Sequence, residues 1–104
     1  MRALTAVVAL VASTSMADAA PPSQVTISVV GTSDLHGHIA ALPWLGGYLE
    51  NLRKARKETG GAVVLLDAGD MFQGTLESNL AEGAPVVRAY NALGYSAAAI
   101  GNHE

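Results

Sequence analysis

The chain has 104 residues, of which half are hydrophobic, nine are acidic and six are basic, and it contains no cysteine. A net charge of −3 without a basic patch argues against nucleic acid or an anionic membrane as the main binding partner. Without cysteine, the chain has no disulfide framework, no thiolate metal ligand and no cysteine nucleophile.

The N-terminal segment has the pattern of an export signal. Arg2 provides a positive charge, residues 3–12 are apolar, and residues 17–19 (Ala-Asp-Ala) match the small-residue pattern before a cleavage site. We therefore predict a signal peptide at residues 1–19 and a spacer at residues 20–24. The apolar run is too short to span a bilayer, so we expect an exported protein, periplasmic or secreted, without a stable membrane anchor. A buried N-terminal helix is the alternative interpretation.

Downstream of the spacer, the hydrophobic pattern alternates between the strand type and the helix type. Short runs of β-branched or continuous apolar residues predict strands, whereas apolar residues spaced three or four apart predict helices. Proline near the start and glycine after the end delimit a helix. The predicted elements are, in chain order, a strand at 25–30, a helix at 43–58, a strand at 62–66, a short helix at 76–82, a helix from Pro85 to Gly94 and a strand at 97–100.

This β-α-β-α-β order predicts an α/β fold, in which helices pack against a parallel sheet. The strand at 62–66 is continuously apolar, so we expect it to be covered on both faces. The loops that leave the carboxyl ends of parallel strands open at one edge of the sheet, and ligands bind there. The residues that follow each strand are therefore the candidates for a functional site.

Side chains that bind metals follow all three strands. Asp34 and His36 come after the first strand, Asp70 after the second, and Asn102 and His103 after the third. Each interval between these positions is about one βα unit, so the fold is expected to bring them to one sheet edge. Carboxylate, imidazole and amide donors together suit zinc, manganese or iron. The pattern predicts a site for divalent metal ions.

Each motif also has a simpler interpretation. Asp34 could cap a strand end, and His36 could lie on the surface. Asp70 could cap the helix that follows it, and residues 101–104 could form an ordinary turn. All of these simpler interpretations would have to hold at once at successive strand ends, so the metal site is the preferred interpretation.

Other prominent side chains receive structural interpretations. Asp67 is expected to support its loop, and His38 to lie beside the metal ligands or in solvent. Trp44 and Phe72 are expected to pack, and the basic cluster at residues 53–57 to form a solvated face that suits the helix dipole. The chain has no phosphate loop with lysine, no GxGxxG after a strand and no Gly-x-Ser-x-Gly motif, which excludes those routes to nucleotide binding and serine catalysis.

The motifs resemble those of a known family. Residues 34–36 (DLH), 69–70 (GD) and 101–104 (GNHE) look like the D-x-H, G-D and G-N-H-E blocks of the calcineurin-like metallophosphoesterases. Residues 65–75 (LLDAGDMFQGT) and 90–104 (YNALGYSAAAIGNHE) resemble the bacterial 5′-nucleotidase branch, which includes UDP-sugar hydrolases and cyclic-nucleotide phosphodiesterases. Ser33 stands where that branch commonly has asparagine.

The resemblance implies a role for each candidate residue. Asp34 and His36 would bind the first of two divalent metal ions, Asp70 would bridge both, and Asn102 would bind the second. His103 would contact the phosphate and would stabilise the transition state or assist the leaving group. Two cations that share a water lower its pKa, and the resulting metal-bridging hydroxide would attack the phosphorus atom.

The resemblance also implies a larger protein. Its fold would be a four-layer αββα sandwich, and residues 25–104 would form the N-terminal part of the catalytic domain. The metal shell would need further histidines from downstream, and a C-terminal domain would recognise the nucleoside. We therefore expect the 104 residues to be an inactive fragment of a longer chain.

The expected function is hydrolysis of phosphoester bonds in 5′-nucleotides or related nucleotide substrates, as a step of nucleotide catabolism. One alternative is another metallohydrolase of the same fold, such as a cyclic-nucleotide phosphodiesterase or a thiosulfate-processing hydrolase. A second is a non-catalytic exported module that binds metal or phosphate, and a third is a structural domain. His103 favours an enzyme, because metal binding alone does not need it.

Overall fold

A computed structural model describes residues 24–104. The predicted signal peptide and residues 20–23 of the predicted spacer lie outside the described residues. Strands and helices alternate along the described chain as predicted. The strands are β1 (Ile27–Thr32), β2 (Ala62–Asp67) and β3 (Ala97–Ala98), and the helices are α1 (Leu42–Glu58), α2 (Leu76–Leu80) and α3 (Ala84–Leu93), with a 3₁₀ turn at Ile39–Ala41.

The three strands form a parallel sheet in the order β1-β2-β3. β1 and β2 pair over their full length, from Ile27 opposite Ala62 to Thr32 opposite Asp67. β3 pairs only briefly with the end of β2, where Ala98 lies opposite Asp67. The predicted α/β fold with a parallel sheet is confirmed, and the carboxyl ends of all three strands lie at one edge.

Strand β1 lies two residues further along the chain than its predicted position. The sequence predicts a loop from residue 31 onward, yet Gly31 and Thr32 pair with the last two residues of β2. The Thr32 hydroxyl donates to the Asp67 carboxylate at 2.5 Å, which holds the polar end of β1 in the sheet. Strand β3 is two residues shorter than predicted, and α2 ends at Leu80 instead of residue 82.

Helices α1 and α3 pack on the same face of the sheet, which we call the inner face. The buried cluster there comprises Leu42, Met71, Val86 and Tyr90. Val86 and Tyr90 lie on α3 at the predicted helical spacing, and α3 begins and ends within one residue of its predicted limits. The α3 helix ends before Gly94, whose φ of +74° is the left-handed conformation that favours glycine.

The opposite face of the sheet, which we call the outer face, is apolar and exposed. Ile27 and Val29 of β1 are 60% and 67% exposed, Leu66 of β2 is 37% exposed, and Val25, two residues before β1, is 62% exposed. The prediction that β2 is covered on both faces is therefore wrong for the described part of the chain, because α1 and α3 both cover the inner face.

Two arginines of the predicted solvated cluster make specific contacts instead. Arg53 donates from Nη2 to the carbonyl of Leu93 at 2.7 Å, at the end of α3. Arg56 donates from Nε to the hydroxyl of Ser28 on β1, also at 2.7 Å. The cluster is therefore only partly a solvated face, because α1 uses these two side chains to attach to α3 and to the sheet.

The two aromatic residues that were expected to pack differ in their environment. Phe72 packs against the buried cluster, as predicted. Trp44, in the first turn of α1, is 86% exposed, so its predicted packing is wrong among the described residues.

Candidate metal centre

Three loops follow the three strands, and we call them loop 1 (residues 33–38), loop 2 (residues 68–75) and loop 3 (residues 99–104). Backbone hydrogen bonds join loops 1 and 2 beyond the end of the sheet. The N–H of Asp34 donates to the carbonyl of Gly69 at 3.0 Å, and the N–H of His36 donates to the carbonyl of Asp70 at 3.0 Å. The backbones of the predicted ligands are thus fixed relative to one another.

His36, Asp70 and His103 form one cluster at this edge. Each offers a ligand atom, the three atoms lie within 4.8 Å of one another, and all three residues are partly buried. The rings of His36 and His103 meet edge-on, with their centroids 4.8 Å apart. Asp34 is more exposed, and its Oδ1 lies 3.9 Å from Nε2 of His36. One residue from each loop therefore contributes to a site with the donor types of a divalent cation site.

Gln73 of loop 2 contacts both histidine rings. Its backbone carbonyl lies 2.9 Å from Nδ1 of His36, and its side-chain Oε1 lies 3.2 Å from Nδ1 of His103. A carbonyl oxygen only accepts, so both Nδ1 atoms carry the proton in these contacts. The Nε2 atoms are then left to accept a metal ion or to act on a ligand.

The backbone is strained at the predicted ligands. Asp34, His36 and Asp70 have φ angles of +53°, +47° and +58°, and the only other non-glycine residue with positive φ among the described residues is Glu82. A side chain in this left-handed region costs on the order of 1–3 kcal/mol and persists where the surroundings fix it, which is common at functional sites. Three of the four strained residues are candidate ligands.

Two glycines allow loops 2 and 3 to approach each other closely. Gly69 has a φ of +105°, and a Cβ atom there would lie 2.9 Å from the backbone nitrogen of Gly101. A Cβ atom at Gly101 would overlap the carboxylate of Asp70. Any larger residue at Gly101 would therefore displace the Asp70 side chain or separate the two loops.

A buried carboxylate at the end of β2 holds the start of loop 2 through hydrogen bonds. Asp67 is 5% exposed, and its Oδ2 accepts from Thr32 at 2.5 Å and from Tyr90 at 2.8 Å. Its Oδ1 accepts from the N–H of Gly69 at 2.8 Å. The prediction that Asp67 supports its loop agrees with these contacts, which connect β1, α3 and the residue before Asp70.

Tyr90, which donates to this carboxylate, stacks on a second tyrosine, Tyr95. The rings of Tyr90 and Tyr95 are nearly parallel, with their centroids 3.9 Å apart. The Thr32 hydroxyl gives its proton to Asp67, so at 2.8 Å it accepts from the Tyr95 hydroxyl. Burial raises the pKa of Tyr90 well above its ordinary value, and the hydrogen bond to Asp67 and the charge of Asp67 raise this pKa further.

The side-chain carboxylate of Glu104 accepts hydrogen bonds from several backbone N–H groups. Oε2 accepts from Asp70 at 3.0 Å and from Gly101 at 2.6 Å, and Oε1 accepts from Met71 at 2.5 Å. Burial alone would raise the pKa of Glu104, but the backbone N–H groups of Gly101, Met71, Asp70 and Phe72 together lower it. The charged carboxylate is therefore the form that this arrangement favours.

The simpler interpretations of the motifs fit the structure less well. Asp70 does not cap the following helix, because the side chain of Thr75 holds that position and accepts from the N–H of Ser78 at 3.3 Å. His38 is exposed. Residues 101–104 do form a turn, but its residues contact Asp70: the N–H of His103 lies 3.4 Å from Oδ1 of that side chain.

The predicted site residues lie in one region of the molecule. His36, Asp70 and His103 are in the cluster, Asp34 adjoins His36, and Asn102 is an exposed residue of the same turn. The sequence reasoning did not identify Gln73, Glu104 or Tyr90 as contributors. The position of Glu104 within the third motif was the available signal, but spacing along the chain does not reveal what a side chain contacts.

The chain is similar to several curated proteins, although no protein-family model matches it. UshA of Escherichia coli (strain K12) is 38% identical over 75% of this chain and 16% of its own length. The silent protein UshA(0) of Salmonella typhimurium is 36% identical over the same shares. A snake venom 5′-nucleotidase of Gloydius brevicauda is 34% identical over 75% of this chain and 15% of its own length.

The chain spans about a sixth of the length of these curated relatives. The identities extend over three quarters of the chain and are shared by UshA proteins and 5′-nucleotidases from distant organisms. The matched part of the chain is therefore homologous to the N-terminal part of the UshA proteins and 5′-nucleotidases, within the metallophosphoesterase superfamily.

Proposed function

We propose that this chain is the N-terminal part of the catalytic domain of a metal-dependent hydrolase that cleaves phosphoester bonds in 5′-nucleotides or related nucleotides. The observation that carries the proposal is the cluster of His36, Asp70 and His103, whose ligand atoms lie within 4.8 Å of one another at the carboxyl edge of the sheet. The relatives named 5′-nucleotidase support the substrate class. We call the longer polypeptide the parent protein.

The side chains at this edge suit a pair of divalent cations of the zinc, manganese or iron type. Asp34, His36, Asp70 and Asn102 would hold them with oxygen and nitrogen donors. His36 fits this role because its Nδ1–H is engaged by the carbonyl of Gln73, which leaves Nε2 free. Bound cations would offset the negative charge of a phosphoester and lower the pKa of a water towards neutrality.

His103 would act on the phosphoester itself. It belongs to the same cluster as His36, and its Nδ1–H is held by Oε1 of Gln73 at 3.2 Å. When the ring also carries a proton on Nε2, as imidazolium, that N–H would donate a hydrogen bond to a phosphoryl oxygen or its proton to the leaving oxygen. A donor placed where negative charge develops lowers the barrier to reaction, and the same ring would orient the substrate.

The exposed outer face supports a larger fold. In the parent protein, a second sheet would cover Val25, Ile27 and Val29 and complete the four-layer αββα sandwich. A contiguous apolar face on one side of a sheet is stable when another layer packs on it. Downstream residues would also supply the remaining histidine ligands and the domain that recognises the nucleoside. Residues 25–104 are then an incomplete catalytic domain that is inactive alone.

Export is part of the proposal. Residues 1–19 would direct the protein out of the cytoplasm, to the periplasm or the medium, and residues 20–24 would link the cleaved end to β1. The pattern of residues 1–19 supports this assignment, and one group of relatives is named for its occurrence in snake venom. Within residues 24–104, no helix combines the length and the apolar character that a membrane crossing needs.

The test is the release of phosphate by the purified parent protein. We expect hydrolysis of 5′-AMP that is abolished by a chelator and restored by manganese or zinc. Asp70→Asn should reduce turnover by at least about tenfold, the lower end of the effect of losing a residue that only orients a ligand, because a neutral amide is a poor bridge between two cations. Glu50→Gln, an exposed change on α1, is the matched control and should leave turnover unchanged. The 104-residue chain alone should release no phosphate.

Different outcomes separate the alternatives. Turnover that persists after chelation, or that is equal in Asp70→Asn, would contradict the proposal. Preference for a cyclic nucleotide or for thiosulfate in a substrate panel would assign the protein to another metallohydrolase class of this fold. Metal binding without turnover of any substrate would favour the non-catalytic binding module.

A further inference from the structure

Glu104 joins loop 2 to loop 3 through both of its carboxylate oxygens. Oε2 accepts from the N–H of Asp70 in loop 2 and from the N–H of Gly101 in loop 3. Oε1 accepts from the N–H of Met71 in loop 2. Three backbone donors from two loops therefore converge on one side chain, at 3.0, 2.6 and 2.5 Å.

The remaining hydrogen bonds that the structure describes between these loops are longer. The N–H of His103 lies 3.4 Å from Oδ1 of Asp70, and Nδ1 of His103 lies 3.2 Å from Oε1 of Gln73. Bonds to an ionised carboxylate are about twice as strong as bonds between neutral groups. Glu104 therefore accepts the shortest hydrogen bonds between the loops that carry Asp70 and His103.

The same side chain supports a strained backbone. Asp70 has a φ of +58°, a conformation that persists only when neighbouring contacts fix it. Its carbonyl accepts from the N–H of His36, and its N–H donates to Glu104, so the peptide groups on both sides of Asp70 are anchored. Glu104 itself is not in the group of possible metal ligands. Its contribution is to orientation.

We propose that Glu104 is a positioning residue, which fixes Asp70 relative to Asn102 and His103 and thereby sets the metal affinity and the turnover of the centre. The expected effects of Glu104 on metal affinity and on turnover rest on the proposed function. The positioning role of Glu104 requires two acceptor oxygens. Met71 donates to one of them, and Asp70 and Gly101 donate to the other. Glutamine has one acceptor oxygen and one donor NH₂ in the same space, so it places a donor against backbone donors.

The experiment compares variants of the parent protein at Glu104. In Glu104→Gln, the affinity for Mn²⁺ or Zn²⁺ should fall by about tenfold to a hundredfold, the usual effect of losing a residue that orients a ligand. The kcat should fall by a similar factor, because Glu104 orients the catalytic groups. The KM should change by a smaller factor than kcat. Glu104→Asp keeps two acceptor oxygens and should recover part of both losses. Glu50→Gln is the control.

A second measurement separates positioning from general stability. In the metal-free protein, hydrogen exchange at the amides of Asp70 and Gly101 should be faster in Glu104→Gln than in the wild type. The thermal midpoint should stay within about 4 °C of the wild type. Glu50→Gln should change neither quantity.

Three results would overturn the inference. Unchanged metal affinity and kcat in Glu104→Gln, in a parent protein that binds metal and hydrolyses 5′-AMP, would exclude the role of Glu104 and leave the proposed function intact. Loss of metal affinity accompanied by a much larger fall of the midpoint would make Glu104 a residue of general stability. A wild-type parent protein that binds no divalent cation would overturn the proposed function and this inference together.

Discussion

The hydroxyl of Tyr90 donates a hydrogen bond to Oδ2 of Asp67 at 2.8 Å, in the interior where α3 meets the end of β2. The same carboxylate accepts from Thr32 of β1 and from the N–H of Gly69. Because Gly69 precedes Asp70, one buried carboxylate connects the core helix, the first strand and the loop that bears a candidate metal ligand.

The first prediction concerns the stability of this connection. Tyr90→Phe in the parent protein should lower the free energy of unfolding by about 1.5–3 kcal/mol, the usual contribution of a hydrogen bond to a charged group. Tyr48→Phe is the control, because Tyr48 is 55% exposed on α1, and it should change the free energy by less than about 0.5 kcal/mol. Denaturant unfolding measures both. Equal stability of the two variants would contradict the role of the bond.

The second prediction concerns alkaline pH. The pKa of Tyr90 in the folded protein is raised above its unfolded value of 10.0, chiefly by burial. A group whose pKa is raised on folding stabilises the fold fully below its unfolded pKa and loses that contribution as the pH rises above it. The stability advantage of the wild type over Tyr90→Phe should therefore be constant from about pH 8 to about pH 9.5 and should shrink as the pH rises from about 10 to about 11. A constant advantage across that range would exclude this linkage.

The third prediction concerns the close contact of loops 2 and 3. Gly101→Ala in the parent protein should lower metal affinity and turnover by about tenfold or more, because the new Cβ overlaps the carboxylate of Asp70. Gly47→Ala in α1 is the control, since a Cβ there meets nothing within 4 Å. That change should stabilise the protein by about 0.5–1 kcal/mol. Metal titration that gives equal affinities for Gly101→Ala and the wild type would contradict the contact.

The fourth prediction concerns the outer face. Val29→Asp should destabilise the parent protein by more than about 2 kcal/mol, because a charge would be buried between two sheets. Leu76→Asp is the control: Leu76 is 69% exposed in the first turn of α2, where an acidic side chain suits the helix dipole. Similar unfolding midpoints for the two variants would show that the outer face faces solvent, against the four-layer sandwich.

The order of the elements could be predicted from the sequence, because each boundary is set by local chemistry. Pro85 and Gly94 delimit α3, and the alternation of apolar runs places the three strands. The predicted bounds of β1 differ from the observed bounds by two residues. Thr32 is polar, a property typical of a loop, and only its pairing with Asp67 shows that it belongs to the strand. Long-range pairing, which the local pattern does not contain, decided that boundary.

The grouping of Asp34, His36, Asp70 and His103 could also be predicted, because parallel topology alone brings successive strand ends to one edge. The contacts of Gln73 and Glu104 could not. Their side chains are placed by the turn geometry of loops 2 and 3, including the positive φ of Asp70, and no periodic pattern encodes such turns. The exposure of Trp44 was missed for a similar reason, since an apolar residue carries no sign of which helix face the core will cover.

The most direct measurement is a crystal structure of the parent protein soaked with Mn²⁺, with anomalous scattering recorded to locate the metal. We predict two manganese peaks at the carboxyl edge of the sheet, with Asp70 between them and His36 Nε2 at about 2.0–2.3 Å from one of them. Manganese bound at full occupancy elsewhere in an active enzyme, with no peak beside His36 and Asp70, would contradict the assignment.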